Sequence, residues 1–233
     1  MGRRRVAVVD PGPDLASHVE AVADALRSAE TVSILLTHGH EDHAGAAPAL
    51  AARVGAEIRG PAGLDVVGRA LADGARVETD MGPLVAVHTP GHTADHLGFH
   101  WPGSRALFAG DLLLGRGDTT WVADYPGCVA DYLRSLERLR GLDLTVVYPA
   151  HGPPLHDVPA ALDRFERHRR ERIAQVERAL EERPEASLDD LLETVYGDSV
   201  PAAMRPAALR SLEALVEHVR KSPDQEPPRT QRR

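Results

Sequence analysis

The segment His38-Gly39-His40-Glu41-Asp42-His43 places three imidazoles and two carboxylates within six residues. It follows directly on the apolar run Val32 to Leu36. His38 and His40 are two apart, so an extended loop points both rings the same way. Asp42 and His43 fall where a helix is expected to begin, and there they face a second point a few ångströms away. Imidazole nitrogen and carboxylate oxygen together suit zinc, iron or manganese.

Three further junctions between strand and loop carry residues of the same kind. Thr89-Pro90-Gly91-His92-Thr93 offers His92, which could complete a three-imidazole set with His38 and His40. Ala109-Gly110-Asp111 sets Asp111 at a strand's carboxyl end, where its two oxygens could bridge two cations. Pro149-Ala150-His151-Gly152 offers His151, a partner for Asp42 and His43 at a second ion. Two cations roughly 3.5–4 Å apart hold a hydroxide at neutral pH, because water on zinc has its pKa lowered to about 7. Such a hydroxide attacks a carbonyl carbon or a phosphorus. Asp42 or a metal-bound water is the expected carrier of the proton that returns to the leaving group. This chemistry needs no protein nucleophile, so Cys128, the only cysteine, is given no role. Asp10, at the end of a strand beside the metal loop, is a candidate to orient a ligand. His96 is another, with a surface position the equal alternative. His88 alternates away from the His92 motif on its strand. His18, His100, His156 and His218 read as surface residues.

The elements that must hold these groups are short. Val6 to Val9 and Val32 to Leu36 read as buried strands. Asp14 is expected to cap a helix to about Ser28, with Leu15, Val19, Val22 and Leu26 on its apolar face. Ala44 to Val54 reads as one helix closed by Gly55. Ala56 to Arg59, Arg76 to Thr79, Leu84 to His88, Leu97 to Trp101, Ala106 to Ala109 and Leu144 to Val147 read as strands, with a hairpin turn at Pro102-Gly103. Asp65 to Ala72 and Tyr132 to Leu139 read as helices. A long charged helix spans Ala160 to Glu182 and breaks at Pro184. Ser187 caps a helix from Leu188 to Val195, and Ala207 to Lys221 forms another. Residues 1–183 thus read as one unit including the long helix, 184–221 as a small helical appendage, and 222–233 as a disordered polar tail.

Composition narrows the classes. A chain of 233 residues that is 42% hydrophobic can bury a sizeable core, although aromatics make up only 4%. The net charge of −8 weighs against a general polyanion binder. One cysteine excludes both a disulfide framework and a thiolate metal cage within the chain. No run approaches the roughly 18 apolar residues of a membrane span. Val6 to Val9 is too short for a signal-peptide core. A cytoplasmic setting is therefore expected, without membrane association.

These residues carry a resemblance. Asp10-Pro11-Gly12, Thr37 to His43, Thr89 to Thr93, Gly110-Asp111 and Tyr148 to Gly152, taken in order over roughly residues 6–155, resemble the metallo-β-lactamase superfamily. The resemblance implies an α/β fold, an αββα sandwich with the site at one edge of two packed sheets. It implies His38, His40 and His92 on one metal, Asp42, His43 and His151 on the other, and Asp111 between them. More narrowly, His168-Arg169-x-x-Arg172 and Leu188-x-x-Leu191-Leu192-x-x-Val195-Tyr196 resemble the lactamase-β-like-2 group, whose members carry a C-terminal winged-helix-like domain and include a single-strand endoribonuclease. Read from residue pattern alone, His168 to Arg172 is equally a solvated helix face with Glu166 paired to Arg170. Members of that group have about two further strands before the Asp-Pro-Gly turn. Only five residues precede Val6 here, so the expectation is either a misassigned start or a sheet that lacks its edge hairpin.

The expectation is a metal-dependent hydrolase with two zinc ions, or iron or manganese in their place, and a bridging hydroxide. Its substrate would be single-stranded RNA or a small molecule such as a thioester or lactone. A thioester hydrolase of the hydroxyacylglutathione type and a sulfur dioxygenase with a single iron are the alternatives. A β-lactamase is disfavoured without an export signal. A binding module that has lost catalysis is disfavoured because every ligand position is filled.

Overall fold

The computed structural model describes residues 1–197 and 200–221. The first half of the chain builds a four-stranded parallel sheet in the order β1-β2-β3-β4, from β1 (Arg5–Val9), β2 (Thr31–Leu35), β3 (Glu57–Gly60) and β4 (Arg69–Ala70). The second half builds a five-stranded sheet in the order β5-β6-β7-β8-β9, from β5 (Arg76–Val77), β6 (Leu84–His88), β7 (Leu97–Trp101), β8 (Ala106–Gly110) and β9 (Val146–Pro149). In this sheet β5 to β8 run antiparallel and β9 joins β8 in parallel. β1 stands at the edge of the first sheet.

Alternation along the strands makes the layers. In β2, Ile34 faces helices α1 (Ala16–Ala25) and α3 (Ala47–Val54), with Val19, Ala23 and Leu50 in the same cluster. Leu35 faces the other way and packs with Leu84, Ala86, Leu97 and Phe99 of the second sheet. The far side of that sheet, through Leu107 and Val147, is covered by α4 (Cys128–Arg140) and α5 (Val158–Glu182), with Tyr132, Leu136 and Phe165 fully buried. The result is helix, sheet, sheet, helix. The helices α6 (Leu188–Tyr196) and α7 (Arg205–Lys221) extend the last layer, adding Leu191, Leu212 and Leu215 to its core. No strand follows β9 among the described residues. No described helix is long and apolar enough to cross a membrane.

The elements depart from the pattern in four places. Leu15, not Asp14, is the N-cap residue of α1; it is exposed and makes no side-chain cap. Ala44 to Val54 is two helices, α2 (Glu41–Ala44) and α3. Pro48 has no N–H to give the Ala44 carbonyl, so the helix restarts with proline in its first turn. Residues 65–72 are not helical: Arg69 and Ala70 pair with Arg59 and Gly60 instead, completing the sheet edge. The hairpin turn after β7 is a short 3-10 turn, Pro102–Ser104, closed by Arg105 at φ 50°. The polar tail, 222–233, lies outside the described residues.

Candidate metal centre

The seven residues singled out by type come from four loops at one end of the sandwich. Three of these loops leave the carboxyl ends of β2, β8 and β9, and a fourth follows β6. His38, His40 and His92 converge: His38 Nε2 lies 3.0 Å, and His92 Nε2 3.1 Å, from His40 Nδ1. Asp42, His43 and His151 form a second group, with Asp42 Oδ2 3.2 Å from His151 Nε2 and 3.7 Å from His43 Nε2. The Asp111 carboxylate faces both. Its Oδ2 is 3.8 Å from His92 Nε2, and its Oδ1 is 3.5 Å from both His43 Nε2 and His151 Nε2.

The hydrogen bonds behind these rings fix which nitrogen is bare. Thr37 Oγ1 donates its one proton to Asp10 Oδ2 at 2.7 Å, so it must accept from His38 Nδ1 at 2.9 Å. His38 Nε2 then carries a lone pair. His92 Nδ1 donates to the Trp121 carbonyl at 2.9 Å, which leaves its Nε2 bare as well. His43 Nδ1 donates to Asp10 Oδ2 at 2.8 Å. Its Nε2 and Asp111 Oδ1 are buried with no hydrogen-bond partner among the described residues. His40 Nδ1 has one proton at most and faces two bare nitrogens, so hydrogen bonding alone leaves a lone pair pointed at a lone pair. A cation among the three removes the conflict. Ligands at zinc–nitrogen lengths of about 2.0–2.1 Å would stand about 3.3 Å apart in a tetrahedron, close to the separations found. The donor set therefore fits one ion at His38, His40 and His92 and a second at Asp42, His43 and His151. Asp10, His38 and His43 also lie close together, but both Asp10 oxygens are already accepting hydrogen bonds, one of them from the Thr37 amide at 2.8 Å.

Burial sets the electrostatics. His38 is fully buried, and desolvation, followed by the neighbouring imidazoles, holds it far below the usual histidine value. Burial also lowers His92. His43 is 1% exposed. Burial opposes its charge, but the carboxylates of Asp10 and Asp111 outweigh that and raise its pKa to about 10. Burial pushes Asp111 up, and His43 beside it more than reverses the push. The second group is also the open one: the Asp42 and His151 side chains are 55% and 50% exposed, so the centre opens to solvent on their side.

Of the further supporting residues, only His96 was a candidate by type. Thr37 is fully buried and ties Asp10 to His38. His96 is buried rather than at the surface. It accepts the Asp111 amide at 3.3 Å and donates to Thr89 Oγ1 at 2.9 Å, and burial lowers its pKa to about 3. Gly110 is needed between them. At φ 50°, a Cβ there would stand 2.6 Å from Thr37 Oγ1 and 2.7 Å from His96 Nε2. Thr120 Oγ1 donates to the Asp111 carbonyl at 2.7 Å. Thr37 and Gly110 adjoin motif residues, which is the one local signal available. Thr120 and Trp121 carry none.

Residues 168–172 are not a solvated face. Arg169 is 3% exposed, with its guanidinium 5.3 Å from the Tyr132 ring centre, and Arg172 stacks on Tyr196. The Glu166–Arg170 pair is present beside them at 2.6 Å.

Comparison with known proteins identifies the fold and the family. Residues 2–151 match the model of the metallo-beta-lactamase superfamily. A beta-lactamase-like protein 2 homolog of Caenorhabditis elegans is 30% identical over 226 residues, covering 92% of this chain and 74% of its own. An atrochrysone carboxyl ACP thioesterase of Aspergillus fumigatus is 31% identical over 181 residues, 71% of this chain and 56% of its own. The crystal structure of a beta-lactamase domain protein from Burkholderia ambifaria superposes with a TM-score of 0.81 at 20% identity, over 93% of this chain and 79% of that one. The chain belongs to the metallo-β-lactamase superfamily and carries its hydrolase fold.

Proposed function

We propose that the chain is a two-metal hydrolase that cleaves thioesters. The observation that carries this reading is the inward set of ligand atoms, above all His43 Nε2 and Asp111 Oδ1, buried without partners beside three imidazoles that cannot all satisfy one another. His38, His40 and His92 would hold one ion, Asp42, His43 and His151 the other, and Asp111 would stand between them. Zinc is the proposed metal, and the same donors suit iron or manganese. Two such cations, when bound, lower the pKa of water towards neutrality and neutralise a developing oxyanion.

The chain's own groups do the rest. Asp10, through Thr37 and His43, fixes ring orientation in both groups. His96 holds the Asp111 backbone in place. Asp42, half exposed at the mouth, is placed to pass a proton to the leaving thiol. A named thioesterase stands among the relatives, matched over 71% of this chain, which supports a thioester in particular. Cleavage of single-stranded RNA is the second reading, favoured by the arginines Arg164 and Arg172 on α5 beside loop residues 117–121.

The test is a hydrolysis panel of an acyl thioester, a lactone, a phosphodiester and single-stranded RNA, run on purified protein and on Asp42→Ala and His92→Ala. Thioester turnover that both variants lose supports the reading. Full activity in either variant would refute the site, and turnover of RNA alone would refute the substrate.

A further inference from the structure

Arg169 is 3% exposed, yet no carboxylate pairs with it among the described residues. Its Nη2 donates to the Thr120 carbonyl at 3.1 Å, and its Nε has no partner. Nearby, Arg172 gives one nitrogen to the Gln175 side chain and the Val195 carbonyl, and it too lacks an acidic partner among the described residues. His168 Nδ1 is buried and unpartnered, while its Nε2 is 3.9 Å from Asp118. All three side chains line a cavity of about 440 Å³ beneath α6 and α7, with Thr120, Trp121 and Met204 among its other walls. Burying a guanidinium without a counter-charge is costly, and buried charges are ordinarily paired. A counter-charge that arrives with a ligand accounts for that cost.

The position of the cavity says which ligand. Its wall, residues 119–121, is also a wall of the metal centre: Thr120 Oγ1 holds the Asp111 carbonyl, and the Trp121 carbonyl holds His92 Nδ1. The backbone of residues 120 and 121 thus borders both the cavity and the ligands Asp111 and His92. Trp121 and Met204 supply apolar surface for whatever joins the two ends.

We propose that this cavity is an oxyanion subsite, which holds a carboxylate or phosphate carried by a small substrate while the scissile bond lies at the metal centre. The assignment rests on the hydrolase reading above. It deepens that reading by naming the substrate class, an anionic acyl or acyl-carrier compound. The net charge of −8 repels anions elsewhere, so the local cluster acts as a filter rather than a general attraction.

The test uses zinc-loaded, full-length protein. Succinate and inorganic phosphate are titrated separately by calorimetry into wild type, Arg172→Gln, Arg169→Lys and the exposed control Arg178→Gln. Hydrogen bonds to a charged group are each worth about 1.5–3 kcal/mol, so at least about tenfold weaker binding is expected in Arg172→Gln, and none in the control. Subtracting the variant removes any binding to the metals themselves. The anion whose affinity falls identifies the source, carboxylate or phosphate. In parallel, KM for a thioester ending in a carboxylate should rise at least tenfold in Arg172→Gln relative to its methyl-ester counterpart, a split that a merely structural arginine would not produce. Should Arg169→Lys fail to fold, Arg172→Gln alone decides. Equal affinity of wild type and Arg172→Gln for both anions overturns the proposal. So does an Arg172-dependent loss seen only with single-stranded RNA. Anion binding without turnover of any thioester refutes the hydrolase reading and leaves the subsite standing.

Discussion

Replacing Asp10 by Asn changes one oxygen for one NH₂ and should weaken the second metal more than the first. The carboxylate accepts three hydrogen bonds, from the Thr37 amide at 2.8 Å, Thr37 Oγ1 at 2.7 Å and His43 Nδ1 at 2.8 Å. An amide oxygen kept on the Thr37 amide leaves the NH₂ facing two donors. His43 escapes that clash by moving its proton to Nε2, where it points at the metal position. Asp10 sits at φ 45°, a conformation asparagine tolerates as well as aspartate, so the backbone is not the cause of any effect. One hydrogen bond to a charged partner is worth about 1.5–3 kcal/mol. That corresponds to about 10–100-fold in affinity, the range typical of groups that orient metal-bound histidines. The assay is competition with a chelator, which resolves the two binding steps. The second zinc should weaken by 10–100-fold and the first by much less, with hydrolysis falling in step with the second. A variant that binds the second zinc as tightly as wild type would refute the claim that Asp10 orients His43.

The remaining predictions follow from the same geometry. His43, with a pKa raised to about 10, must lose a proton to become a ligand. Affinity for the second ion should therefore rise about tenfold per pH unit between pH 6.5 and 8.5, while the first site, whose His38 and His92 are held low by burial, changes little; proton release measured during zinc titration checks this. Gly110→Ala combines a left-handed backbone with a Cβ 2.6 Å from Thr37 Oγ1 and should cost about 2–5 kcal/mol in denaturant unfolding. Ser187 closes a reciprocal cap with Asp190 at the start of α6. Ser187→Ala should lose about 0.5–2 kcal/mol, read as faster amide exchange confined to α6 and its contacts with α5 and α7.

The sequence showed residue chemistry and local period, and it was silent on what covers what. β6 and β7 lie where alternation put them, because both faces of those strands are decided by neighbours close in the chain. The helix written across residues 65–72 failed because Arg69 and Ala70 finish a sheet whose other members lie earlier in the chain. His38 to His43 were visible because six residues hold the whole motif. His92, Asp111 and His151 were visible because each ends a strand. Thr120 and Trp121 were not, since they reach the centre only through the packing of the loop after β8. His168 to Arg172 show the limit most plainly: a charged run on a long helix looks solvated until α6 and α7 are folded over it.

A centre built for two ions should show itself in a metal titration with activity as the readout. Protein stripped by chelator should recover thioester hydrolysis on adding zinc, with activity completed only at the second equivalent per chain. Full activity after one equivalent, or a preparation that holds one iron and takes up oxygen with a persulfide, would contradict it.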